Sequence, residues 1–179
     1  MTGPVRIGVS ACLLGEYVRY DGEHKLDLCI TGVIAKFFAL VPICPEVGCG
    51  LPTPREAMRL EGEQDAPRLM TVQTRIDRTG QMLDYCAAKL GEFGKMDLCG
   101  FVFKERSPSC GISAVPLYTG ADSVVATAGL FAREIRRRFP LMPLEEAERL
   151  NNPEIRERFI ESVFLYHRAH LSAVACRTN

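Results

Sequence analysis

The chain has 179 residues, 22 Lys plus Arg against 22 Asp plus Glu, and a formal net charge of zero. That length suits one globular domain with room for a short appendage, and a content of 47 % hydrophobic and 25 % charged residues excludes global disorder. The balanced charge argues against a protein that holds nucleic acid by bulk electrostatics. No apolar run reaches the ~18 residues of a membrane span, and no signal peptide opens the chain, so a cytoplasmic protein is expected.

Residues 5–10 (Val-Arg-Ile-Gly-Val-Ser) form a short β-rich run that predicts a buried first strand. Apolar residues recur at helical spacing over residues 25–40, and residues 41–43 suggest a second strand. Residues 44–68 read as a long Pro- and Gly-rich loop, and a loop of that length in a compact domain is usually functional. A strand over 69–75, a helix over 81–93 and a buried strand over 98–103 follow, the last ending in the polar loop 104–111. Residues 124–139 predict a helix whose basic end suits the negative pole of its dipole, 141–144 a last edge strand, and 154–171 a final amphipathic helix. Alternating strands and helices define an α/β fold, a Rossmann-like three-layer sandwich with a mostly parallel sheet. Residues 1–144 would form this domain and residues 145–179 a C-terminal helical extension.

Eight cysteines are many for a chain without a secretion signal, and no CxxC pair is present to suggest a zinc ribbon or a thioredoxin-like motif. In parallel α/β sheets the ligand crevice lies beyond the carboxyl ends of the strands. The loops after the first, second and fourth predicted strands carry Cys12, Cys44 with nearby Cys49, and Cys110. Three thiolates converging on one crevice can hold a metal or a cubane iron–sulfur cluster. The plainer alternative makes them small fillers at strand ends. Cys29, Cys86 and Cys99 fall in apolar or helical runs and read as packing, and Cys176 lies in the tail.

Glu46, two positions after Cys44, suits general acid–base work, or else is a loop carboxylate paired to Arg55 or Arg106. Ser107 and Ser109 either assist at the site or simply make the turn around Pro108. Ser10, Arg19, Asp21 and Lys25 are candidate substrate contacts, the last three equally suited to surface ion pairs.

Four segments in order, Ser-Ala-Cys-Leu-Leu-Gly at 10–15, Val-Arg-Tyr-Asp-Gly at 18–22, Cys-Pro-Glu at 44–46 with Gly-Leu-Pro-Thr-Pro-Arg at 50–55, and Ser-Pro-Ser-Cys-Gly at 107–111, resemble the thiouracil desulfidase family over residues 5–143. The resemblance implies a [4Fe-4S] cluster on three cysteines whose open iron takes the sulfur of a thiocarbonyl substrate. Carried over by position, the ligands are Cys12, Cys44 and Cys110, with Cys49 as a substitute for Cys44. Glu46 becomes the acid–base group and a serine of Ser107 and Ser109 its helper. Residues 145–171 resemble the connector that in longer relatives leads to a further domain, and those relatives act on thiolated transfer RNA. The implied substrate is a free thiouracil or a nucleotide such as 4-thiouridine monophosphate, with transfer RNA second. Two rival classes stand beside it: a non-catalytic iron–sulfur or sulfur-carrier module, and a metal-free enzyme with a low-pKa cysteine nucleophile.

Overall fold

The structure is a computed structural model and describes residues 3–120 and 123–177, with side chains described as far as residue 170. The side chain of Cys176, assigned above to the tail, therefore lies outside the described residues.

Strand β1 (Arg6–Ser10) buries Ile7 and Val9 on one face. It pairs in parallel with β2 (Ala39–Ile43) on one side and β5 (Leu98–Phe103) on the other, and β8 (Leu144–Glu146) joins β5, also in parallel. The order β2-β1-β5-β8 is the parallel sheet expected from the alternation of elements. β1 and β5 approach so closely that a Cβ at Gly8 would meet the Phe101 ring at 2.3 Å, which is why glycine interrupts this strand.

Both faces of the sheet are covered, as its apolar strands require. On one face lie α1 (Leu28–Gly32) and the long α5 (Pro153–Arg177), whose Phe159 and Val163 are buried with Ile7, Val9 and Val102. The boundary expected at residue 144 falls inside β8. On the other face lies α3 (Thr79–Met96), with Met82, Cys86, Leu90 and Phe93 forming one helical stripe. Beside it α4 (Leu130–Arg138) adds Phe131, and Phe93, Phe101, Phe103 and Phe131 meet ring to ring. Each such fully buried aromatic contributes about 1.5–3 kcal/mol relative to an exposed one. No helix among the described residues is long and apolar enough to cross a membrane.

Three sequence expectations need correction. Residues 25–40 are not one helix: the Asp27 carboxylate accepts the Ile30 N–H at 3.0 Å and starts α1 late, and after Gly32 only a 3-10 turn (Ile34–Lys36) precedes β2. The helix expected over 124–139 begins only after Gly129, because the β-branched run before it forms β7 (Val124–Thr127). The segment read as one long loop contains a short helix α2 (Pro45–Gly48) and strand β3 (Met58–Gly62). With β4 (Pro67–Thr71), β6 (Val115–Tyr118) and β7, β3 builds a second, mixed sheet in the order β4-β3-β6-β7.

Candidate active site

Because β2, β1 and β5 are neighbours, their carboxyl ends lie side by side. The loop after β1 carries Cys12 in a 3-10 turn (Ala11–Leu14), the loop after β2 opens with Cys44, and the loop after β5 runs to Cys110. All three thiols line one cavity of about 360 Å³, a size in the range of small-molecule sites. Val18, Ile43, Ala57, Met58 and Pro108 make its apolar wall, and Arg19, Lys104, Glu105, Arg106, Arg55 and Glu46 its polar side.

Local chemistry sets each cysteine-bearing loop. Cys44 is the extended N-cap residue of α2 and Pro45 its first helical residue, where a missing N–H costs nothing. This puts Glu46 in the first turn and on the cavity. Cys49, at the other end of α2, donates its thiol hydrogen to the backbone oxygen of Glu46 at 3.1 Å, packs against the apolar core and does not line the cavity. In the loop after β5, the Ser107 hydroxyl oxygen accepts the N–H groups of Ser109 (3.2 Å) and Cys110 (3.1 Å) and so closes the turn. The free N–H groups at the start of α4 hold this turn from behind, Leu130 on Pro108 O at 3.1 Å and Phe131 on Ser109 O at 3.0 Å. A Cβ at Gly129 would stand 2.5 Å from the Ser109 carbonyl carbon, so only glycine lets helix and turn meet.

Ser109 is fully buried, and its hydroxyl donates to Glu46 Oε1 at 2.9 Å. Arg55 grips the other oxygen, Oε2, through Nε at 2.8 Å and Nη2 at 2.6 Å. Glu46 is thus paired to Arg55 and lines the same cavity as the three cysteines. Ser10, nearly inaccessible at the end of β1, accepts the Lys104 N–H at 3.0 Å and hydrogen-bonds the Cys110 thiol.

The remaining candidates divide. Arg19 lines the cavity with its guanidinium forked on Asp21, whose carboxyl that bond holds down to about 2. Asp21 and Lys25 are not in the lining; Lys25 instead gives its backbone N–H to Cys12 O at 2.8 Å. Lys104 and Glu105 are lining residues that sequence reasoning missed, and their signal is position, at the start of the polar loop that carries Cys110; Arg106, the other partner considered for Glu46, lines the cavity while Arg55 takes the ion pair.

Burial pushes every lining thiol up. Cys12 rises to about 11, through burial first and the neighbouring Cys44 second. Cys44 rises by burial, and Cys110 well beyond the ordinary range by burial, Cys44 and Glu46. Thiols of this kind are poor nucleophiles near neutral pH, and the cavity lining contains no histidine to activate one. Among the described residues no group of three or more His, Cys, Asp or Glu side chains is set to hold a metal ion. The three cysteines line one cavity, and soft sulfur donors on a shared cavity suit an iron–sulfur cluster, whose protein ligands are cysteines.

Fold and site together define an α/β protein whose parallel sheet opens onto a cysteine-lined crevice with an ion-paired carboxylate on its wall. Residues 7–147 match the 2-thiouracil desulfurase family, and the chain belongs to that family. Among solved structures it is similar to one described as the [4Fe-4S]-dependent thiouracil desulfidase TudS, with 29% sequence identity and a TM-score of 0.67 over 86% of this chain and 98% of that one. A comparison with curated protein sequences gave no match.

Proposed function

We propose that this protein is a hydrolytic desulfidase that removes sulfur from a thiolated uracil, as free base or nucleotide. The observation that carries this reading is the Glu46 carboxylate, held between Ser109 and Arg55 on the wall of the cavity that Cys12, Cys44 and Cys110 line. Those three cysteines would hold a [4Fe-4S] cluster, which when bound supplies an iron with Lewis acidity toward the soft sulfur of a thiocarbonyl.

The protein's own groups do the rest. The apolar wall receives the flat pyrimidine ring and limits water around it. Glu46 takes one proton from the attacking water and the second as the C=O forms, and gives both up in turn to the departing sulfur. Arg19, paired to Asp21, and Lys104, paired to Glu105, line the cavity together with Arg106, so cationic groups stand within reach of an anionic substituent on the ring. The balance is C=S plus H₂O giving C=O plus H₂S, with no electron transferred. A cavity of about 360 Å³ suits a single base or mononucleotide.

The test is protein purified without oxygen, assayed for iron, acid-labile sulfide and release of sulfide from 2-thiouracil and 4-thiouridine monophosphate. About four irons per chain together with stoichiometric sulfide release is expected. Iron bound without turnover of either substrate would favour the carrier reading, and turnover without iron would overturn the cluster assignment.

A further inference from the structure

Arg55 lies in the loop between α2 and β3, and its side chain is 5% exposed although it borders the cavity. A guanidinium carries five N–H donors, and each has a partner. Nε donates to Glu46 Oε2 at 2.8 Å, and Nη2 to the same oxygen at 2.6 Å and to Val18 O at 2.8 Å. Nη1 donates to Pro52 O at 3.1 Å and to Thr53 Oγ1 at 3.3 Å. The Arg55 backbone N–H adds a bond to Tyr20 O at 2.8 Å. No donor is left for a substrate, so any part Arg55 plays must pass through the groups it holds.

Those groups are informative. Val18 and Tyr20 lie in the loop after β1 and themselves line the cavity, while Glu46 comes from α2 after β2. One side chain therefore joins two of the three loops that form the crevice. On Glu46 it occupies Oε2 twice, whereas Oε1 accepts one hydrogen bond, from Ser109. The carboxylate is fixed at one end, and its remaining accepting capacity is on Oε1.

We propose that Arg55 is the positioning residue of the desulfidation reaction, clamping Glu46 by Oε2 and the Val18–Tyr20 segment by its carbonyls so that Oε1 is the oxygen that exchanges protons at the cavity. The inference rests on the reading of Glu46 as the proton-transfer group. Lysine cannot replace Arg55, because a point-like ammonium with three donors cannot span a carboxylate and three further acceptors.

The experiment compares Arg55→Lys, Arg55→Ala and Glu46→Gln, measuring iron per chain together with kcat and KM for 2-thiouracil, with and without added guanidinium ion. Expected are iron near the unsubstituted level, a kcat lower by about a hundredfold in Arg55→Ala, as a displaced catalytic group gives, and a KM changed by less than about threefold. Guanidinium should restore part of kcat in Arg55→Ala and none in Glu46→Gln, and Arg55→Ala should cost little more in a Glu46→Gln background. Near-normal kcat in Arg55→Ala with an inactive Glu46→Gln would overturn the positioning role alone. Activity lost in proportion to iron and not restored by guanidinium would reduce Arg55 to a structural residue. An active Glu46→Gln would overturn the Glu46 reading itself. Where Arg55→Ala does not fold, Arg55→Lys decides: a lowered kcat at full iron supports the proposal, and an unchanged kcat overturns it.

Discussion

Ser109 and Glu46 stand 63 positions apart in the chain and are joined by a 2.9 Å hydrogen bond from the Ser109 hydroxyl to Oε1 of the carboxylate. The bond links the loop after β5 to the helix after β2, across the end of β1 that lies between them. The two serines flanking Pro108 thereby have different tasks, since Ser107 spends its oxygen on the Ser109 and Cys110 N–H groups.

Ser109→Ala should lower turnover by about ten- to hundredfold with iron per chain unchanged, because a hydrogen bond to a charged group is worth about 1.5–3 kcal/mol. Ser107→Ala should instead lower iron, by loosening the turn that presents Cys110. Steady-state kinetics and iron analysis on the two variants separate the effects, and the opposite assignment of losses would reject this division of labour.

Cys12→Ser, Cys44→Ser and Cys110→Ser should each lose the absorption and acid-labile sulfide of an iron–sulfur cluster. Cys49→Ser should retain both, because its thiol is spent on the Glu46 backbone oxygen and faces the core. A colourless Cys49→Ser beside a brown Cys44→Ser would move the second ligand to Cys49.

Gly129→Ala should be costly for a residue without a chemical role. The new methyl would press on the backbone of Ser109 and on Cys110 N, at 2.5 and 2.8 Å, neither of which is a flexible side-chain end. Overpacking of this kind costs about 1–3 kcal/mol, so both the thermal midpoint and the iron content should fall. A variant with the original midpoint would show that α4 and the Cys110 turn yield more easily than their contacts imply.

Glu61 on β3 is gripped by Arg75 and Arg59, and the Arg75 hydrogen bonds foremost hold its carboxyl down at about 2. A carboxyl depressed in the folded state contributes stability that is present above its unfolded value of about 4.3 and is lost as pH falls from there toward 2. Both arginines are partly exposed, so the contribution stays below about 1 kcal/mol. The midpoint difference between the unsubstituted protein and Glu61→Gln should be largest near neutrality and shrink below about pH 4; a difference that grows on acidification would contradict the sign.

Periodicity and turn chemistry made the main sheet and the site loops legible. Residues 98–103 are apolar throughout and form β5 as expected, and the thiol loops sit at the strand ends where a parallel sheet places its crevice. Of the second sheet only β4 was legible, as the strand expected over residues 69–75, which forms at Pro67–Thr71. β3 buries only Leu60 fully, and β7 only Thr127, so neither shows the pattern of a half-buried strand; what holds them is pairing with each other's neighbours.

By itself the sequence determined which residue types stand in which loops: three thiols, a carboxylate and a serine-flanked proline turn, each placed by local glycine, proline and capping chemistry. Only the tertiary structure decided which of them meet. The order β2-β1-β5 brings Cys12, Cys44 and Cys110 to one cavity and leaves Cys49 outside it, and it pairs Ser109 and Arg55 with opposite oxygens of Glu46. Such pairings depend on strand order and packing between segments distant in the chain, and no local pattern of residues encodes them.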